Sequence, residues 1–283
     1  DYFRIRKIEM KMKTLLIFTI FFILASCASY KNPRQIKEAH FDGLKYESLK
    51  RYDEVRLSKV RKKNDALSLC HRGEFDDAIT IFKSSLDKNI NHYRYWNEIS
   101  TCYILQKKYT QAKTFLDLSL GRAKTNKQKS VILNNMGVIY LENNNFHEAK
   151  DYFKKSIELS KSYLTQRYNL SQIYLKFALY QNAKKEIDFL LKLSPADVDF
   201  LHSKAHLELM LQNHKEALVF FNKIPVQYRS RDDIATNMAM TYFMLGLYEN
   251  AKAAIDGSDK KNSYYLNSQM EIKKKLNKIA SKK

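Results

Sequence analysis

The chain has 283 residues, with only 6 Gly and 3 Pro, 45% apolar residues and a formal charge of +20. So few turn formers exclude an all-β sandwich and a nucleotide-binding fold built on glycine loops. Plentiful aromatics, 19 Tyr and 16 Phe spread along the chain, argue against disorder, so the expectation is a basic, mostly helical protein.

Near the N-terminus, Lys11 and Lys13 precede an unbroken apolar run of ten residues, Leu15 to Leu24. As a helix this run spans about 15 Å, half of a bilayer core, so it reads as the apolar region of an export signal and not as a spanning helix. Leu24-Ala25-Ser26-Cys27 follows, and these four residues resemble the bacterial lipobox. That resemblance implies cleavage before Cys27 and acylation of its thiol, which would make the membrane a partner of the mature chain. Ala28 and Ser29, not Asp, come next, which in that family implies an outer-membrane lipoprotein facing the periplasm. The competing reading is a soluble export signal with an incidental Cys. Residues 1–26 are assigned to the signal. Met10 or Met12 makes a better start for it than Asp1, which places 1–9 upstream. Residues 27–58 are read as a lipidated tether and N-terminal cap, helical in pattern and interrupted at Gly43.

From residue 59 to 258 a period of 34 dominates. Ala78, Ala112, Ala149, Ala183, Ala217 and Ala251 are spaced by 34 residues, with 37 at one step. Three residues before each stands a ring: Phe75, Tyr109, Phe146, Tyr180, His214, Tyr248. Four after each stands a large apolar side chain: Phe82, Leu116, Phe153, Ile187, Phe221, Ile255. Twelve before each is a small residue: Ala66, Ser100, Gly137, Ser171, Ala205, Ala239. This pattern resembles the tetratricopeptide repeat, and Pro195 fills the closing position of the fourth unit. The resemblance implies an all-α solenoid of about six helix-turn-helix repeats. Departures are local. Lys204 and Glu208 replace the usual Leu and Tyr, Pro225 shortens the second helix of repeat five, and three extra residues fall in the loop Gly121–Lys129. Residues 259–283 read as a capping helix and basic tail, with Leu266, Met270, Ile272, Leu276 and Ile279 on the apolar face of Ser263–Ile279.

In this family the first helix of each repeat lines the concave side. Carried onto this sequence, the peptide-groove residues include Asn97, Asn134, Asn135, Tyr168, Asn169, Gln172, Leu175, His202, His206, Leu209, Asn237, Met240 and Phe243. Asn recurs at one repeat position as Asn64, Asn135, Asn169 and Asn237. In peptide-binding relatives that amide holds the ligand backbone, and an amide offers both a donor and an acceptor. The Lys/Arg clamp of the carboxylate-binding variant is absent. The later groove is apolar and suits an amphipathic helix or a hydrophobic peptide, the client being either an external protein or the chain's own C-terminal helix.

Asp199, His202 and His206 fall at i, i+3 and i+7, a spacing that offers three metal ligands. No fourth ligand is tied to them by spacing, so polar groove lining is preferred, and neither metal nor cofactor is expected. Cys70 and Cys102 occupy consecutive first helices and are either bridged or two buried thiols. No G-x-S-x-G, P-loop, H-E-x-x-H or C-x-x-C occurs, so an enzyme is not expected.

The charge is concentrated at the ends. Residues 27–64 hold 11 basic and 5 acidic residues, and 257–283 hold 8 and 2. Beside a lipid anchor such stretches are expected to contact anionic lipid or a cell-wall polymer. Nucleic acid is not an expected partner, because the export signal leads away from it. Two functions follow. The first is an outer-membrane-anchored periplasmic scaffold, resembling the pilotins of type IV pilus secretins, that binds a client in its groove and assists assembly of an envelope machine. The second is an adaptor that recruits peptidoglycan hydrolases or proteases.

Overall fold

The computed structural model describes residues 44–45, 65–260 and 262–281, the side chain of Ser263 excepted. The export signal, Cys27, most of the 27–58 segment and Asn64 lie outside the described residues. Every regular element among the described residues is helical. Six antiparallel pairs stack in order: α1 (Ala66–Arg72) with α2 (Phe75–Ser84), α4 (Tyr93–Leu105) with α5 (Tyr109–Arg122), α6 (Asn126–Glu142) with α7 (Phe146–Leu159), α8 (Thr165–Lys176) with α9 (Tyr180–Leu193), α10 (Val198–Met210) with α11 (His214–Lys223), and α12 (Asp232–Met244) with α13 (Tyr248–Asp256). A single turn, α3 (Leu86–Asn89), links the first two pairs, and α14 (Ser263–Ala280) closes the stack.

The periodic residues build this stack. The ring of each unit is the first residue of its second helix. All six alanines are fully buried, and the large side chain four residues later is 0–4% exposed. The small residue of the first helix makes room for it. A Cβ placed on Gly137 would lie 2.6 Å from Cε1 of Phe153, so the third pair packs as tightly as it does because that position has no side chain.

The turn between paired helices recurs with the same period. Gly73, Lys107, Asn144, Ala178, Gln212 and Gly246 all have φ between 55° and 81°. In each turn this residue and its successor donate backward to the end of the first helix, as Ala178 does to Leu175 and Leu179 to Tyr174. This double bond satisfies the orphan carbonyls, and a left-handed residue is what it requires. Only two of the six turns supply glycine, which is why sequence alone does not reveal them.

Departures from the repeat are absorbed locally. The three extra residues do not form the expected loop at 121–129. They lengthen the helices on either side, leaving only Ala123–Thr125 between α5 and α6, with Thr125 and Gln128 forming a reciprocal cap on α6. Lys204 and Glu208 are both buried and pair at 3.1 Å, with Asp188 a further partner of Lys204 at 2.8 Å. Burial opposes the charge on Lys204, but the hydrogen bonds it donates to Asp188 and Glu208 outweigh that and hold the ammonium above its ordinary value. Beyond Ile224, Pro225 opens a short 3₁₀ turn, Val226–Tyr228, in place of further α-helix.

The cap is pinned by polar contacts as well as apolar ones. Asp232, fully buried, accepts from the backbone N–H groups of Lys260 and Asn262 at 2.7 and 2.8 Å. Ile272 and Leu276 bury against the last pair as the pattern suggested. Met270 instead faces outward at 59% exposure, and Gln269 takes the inner position, donating to Thr236 at 3.0 Å. Helix α14 therefore caps the stack and does not enter the groove.

Cys70 and Cys102 are bridged, joining α1 to α4 across a sequence separation of 32. A loop of that length is stabilised by roughly 3–4 kcal/mol on chain entropy. Reduction, or the double substitution Cys70→Ser/Cys102→Ser, is expected to lower the melting temperature of the first two repeats by about 10 °C, read by differential scanning calorimetry with and without reductant. Replacing Ala178 with Gly is expected to stabilise the fourth turn by about 0.5–1 kcal/mol, read as a higher urea midpoint, because a Cβ in the left-handed region is strained.

Candidate groove and its occupant

Four asparagines form a continuous buried ladder across three first helices. Asn97 lies on α4, Asn134 and Asn135 on α6, and Asn169 on α8, each no more than 1% exposed. Asn135 Nδ2 donates to Asn97 Oδ1 at 3.0 Å, Asn134 Nδ2 to Asn135 Oδ1 at 3.1 Å, and Asn169 Nδ2 to Asn134 Oδ1 at 2.9 Å. A buried amide left without partners costs about 1–3 kcal/mol, so the contacts that complete such a ladder matter to the fold.

Completion comes from the chain's own N-terminal segment. Leu44 N–H donates to Asn135 Oδ1 at 2.9 Å, and Leu44 C=O accepts from Asn134 Nδ2 at 3.1 Å and from Asn169 Nδ2 at 2.9 Å. Both main-chain groups of one residue are thereby read, and both hydrogens of the Asn134 and Asn169 amides are used. The Leu44 side chain, 2% exposed, joins the apolar cluster of Val138, Leu141 and Leu175. Burial of that size contributes about 1.5–3 kcal/mol. Leu44 and Lys45 belong to no helix.

Lys45 enters a pocket made by the next repeats. Its Nζ lies 2.9 Å from Asp199 and 3.4 Å from Asp197, and 4.8–5.1 Å from the ring centres of Phe200 and Tyr168. The pocket follows from a helix start. Asp197 caps α10 by accepting from Asp199 and Phe200 N–H at 2.9 and 3.2 Å, which turns its carboxylate and that of Asp199 toward the groove. Arg231 backs the site, 3.0 Å from Asp199 and paired through two nitrogens with Asp233 at 2.6 and 3.1 Å. Burial opposes the charge on Arg231, but Asp233 and Asp199 outweigh it and raise its pKa. Among the described residues, Asp197 and Asp199 set two carboxylates against the Lys45 ammonium. The two ring faces favour it further, by about 0.5–2 kcal/mol.

The other groove residues named from the repeat pattern separate into three groups. Asn97, Asn134, Asn135, Asn169, Tyr168 and Leu175 converge on the Leu44–Lys45 pair through the contacts above. Gln172 is half-buried and donates to Ser203 at 2.9 Å, while His202 reaches Asn237 at 3.0 Å and Asp233 at 3.5 Å, with His206 stacked on it at 6.4 Å between ring centres. Leu209, Met240 and Phe243 take part in the packing of the last repeats. Leu209 is buried in the core beside Ala205, Phe221 and Met238, and Met240 and Phe243 pack on the cluster that α14 completes. Of the apolar later groove expected from the sequence, Leu209 is buried while Met240 and Phe243 stay half-buried. Asp199, His202 and His206 do not converge either. Asp199 is taken up by Lys45 and Arg231, and among the described residues no group of three His, Cys, Asp or Glu side chains could hold a metal. Sequence reading missed Asp197, Phe200 and Arg231. The only hint was an Asp before an apolar run, the signature of a helix cap.

The stacked pairs and their buried alanines agree with a family comparison. The family described as "Tetratricopeptide repeat" matches residues 92–162. Over these residues the chain is similar to tetratricopeptide repeats. Anaphase-promoting complex subunit 3 of Schizosaccharomyces pombe is 23% identical over 143 residues, which is 50% of this chain and 21% of that protein. Among solved structures, the APC/C hetero-tetramer Cut9–Hcn1 superposes with a TM-score of 0.63 at 13% identity, covering 82% of this chain and 46% of that one. PilW, described as a widely conserved type IV pilus biogenesis factor, gives 0.54 at 15% identity over 74% of this chain and 91% of that one. The chain spans less than half the length of the Schizosaccharomyces pombe subunit and of the Cut9–Hcn1 chain. At these identities the structural likeness is one of fold: a tetratricopeptide-repeat solenoid. Among the described residues, no helix is long and apolar enough to cross a membrane.

Asn135→Ala should destabilise the protein by about 1–3 kcal/mol, since it removes the acceptor of Leu44 N–H and of Asn134 Nδ2 and the donor to Asn97 Oδ1. Hydrogen exchange should then show the Leu44 amide losing its protection while the α9 and α11 amides keep theirs.

Proposed function

We propose that this protein is an outer-membrane-anchored periplasmic scaffold that binds a protein or peptide client in its repeat groove and assists assembly of an envelope machine such as a pilus or secretin. The observation that carries this reading is the grip on Leu44. A groove whose buried amides take both the N–H and the C=O of a non-helical residue is built to hold polypeptide main chain.

Lys11, Lys13, the apolar run and Cys27 supply the proposed anchor. The Cys70–Cys102 bridge suits an oxidising compartment such as the periplasm. Likeness to PilW supports a pilus client at the level of fold, which is analogy. Lipid at Cys27 and a client in the groove would act bivalently, the anchor raising the client's local concentration at the membrane. The basic ends would add contacts to anionic lipid or cell-wall polymer.

The test is crosslinking of the anchored protein in its own cells, comparing wild type with Asp197→Asn/Asp199→Asn. Asn retains the helix cap and removes the charge. Capture of a secretin or pilus component by wild type, and its loss from the variant, is the expected result. Hydrolases or proteases captured equally by both would replace this reading with the adaptor one.

A further inference from the structure

We infer that the groove selects an extended peptide carrying an aliphatic residue followed by a lysine, and that Leu44–Lys45 occupy this site in cis, so that a client must present the same pair and displace them. The inference rests on the groove being the client site and adds the chemistry of what it takes.

Three features of the occupant define the ligand. Its backbone is read by amides that are indifferent to sequence, through Asn134, Asn135 and Asn169. Its first side chain sits in an apolar cluster with no charged partner. Its second places an ammonium within 2.9–3.4 Å of two carboxylates and over two rings. Main-chain bonds supply general affinity, and the two side-chain positions supply selection. Glutamate or aspartate at the second position would meet Asp197 and Asp199 as a like charge, and a short apolar residue there would forgo the ammonium's contact with both.

The pair is joined to α1 by residues 46–65. Any such intramolecular occupant competes with an external peptide at an effective concentration, which is on the order of 1 mM for a short tether. An external peptide binding the empty site at about 10 μM would then appear about 100-fold weaker on the wild-type chain. Occupancy in cis is therefore a threshold, one that a client held at the same membrane or making further contacts along the groove can exceed.

The experiment uses the full chain and a fluorescent peptide with the sequence of residues 40–49. Fluorescence anisotropy compares wild type with Leu44→Asp/Lys45→Glu, in which the occupant no longer fits. The peptide should bind the emptied variant at least 30-fold more tightly than wild type. The same peptide with Lys45→Glu should not bind it, and adding Asp197→Asn/Asp199→Asn to the variant should weaken binding at least 10-fold. Circular dichroism and melting check that each variant is folded. A second measurement needs no substitution: saturating unlabelled peptide should speed hydrogen exchange at the Leu44 amide of wild type. The inference is overturned if the folded, emptied variant fails to bind, if the Lys and Glu peptides bind alike, or if excess peptide leaves Leu44 exchange unchanged. Should the peptide bind as expected while client capture in cells survives Asp197→Asn/Asp199→Asn, the site chemistry stands and the assembly-factor reading falls. Should capture depend on those residues while the peptide fails, the selection of an aliphatic–lysine pair falls and the assembly-factor reading stands.

Discussion

Everything in this fold depends on how closely two helices can approach within a pair. The first helix offers a residue with little or no side chain, and the second offers a buried alanine with a large apolar group one turn later. Gly137 and Phe153 show how little room is left: a Cβ on the glycine would lie inside the ring's contact distance. Because no pair can bury its remaining apolar face alone, each needs the next, and the last needs α14. Ile272 and Leu276 meet that need, while Asp232 holds the strap of backbone that leads into the cap.

The same stacking produces the groove. First helices side by side bring Asn97, Asn134, Asn135 and Asn169 into one ladder, although they come from three repeats. Buried amides are costly unless completed, and here completion is supplied by the main chain of Leu44. One repeat further on, a helix cap and its neighbour place two carboxylates beside two rings, and Lys45 fills that space. Binding chemistry and folding chemistry are thus continuous. The groups that hold the occupant are also groups that tie the first helices of three repeats together.

The period of the alanines, the rings opening each second helix and the small residues opposite them are legible in the sequence, because each reflects a local packing rule repeated six times. The C-terminal cap is legible for the same reason, apart from the exchange of Met270 for Gln269 at its inner face. The asparagines stand out through their repeat position. Their role in holding Leu44 does not, since it depends on residues about 90 and 125 positions apart meeting in space. Leu209, Met240 and Phe243 carry the same hydrophobic signal whether they face a client or the core, and periodicity cannot tell those apart.

By itself the sequence determined a helical repeat protein, the number and phase of its units, and the position of its cap, since these follow from side-chain size and polarity at short range. Tertiary structure alone decided three matters: the bridge between Cys70 and Cys102, the turns in which Lys107, Asn144, Ala178 and Gln212 adopt a left-handed backbone, and the occupation of the groove by Leu44–Lys45. Each depends on where distant groups, or a neighbouring helix end, are carried by the stacking of whole helices, and no local pattern encodes that distance.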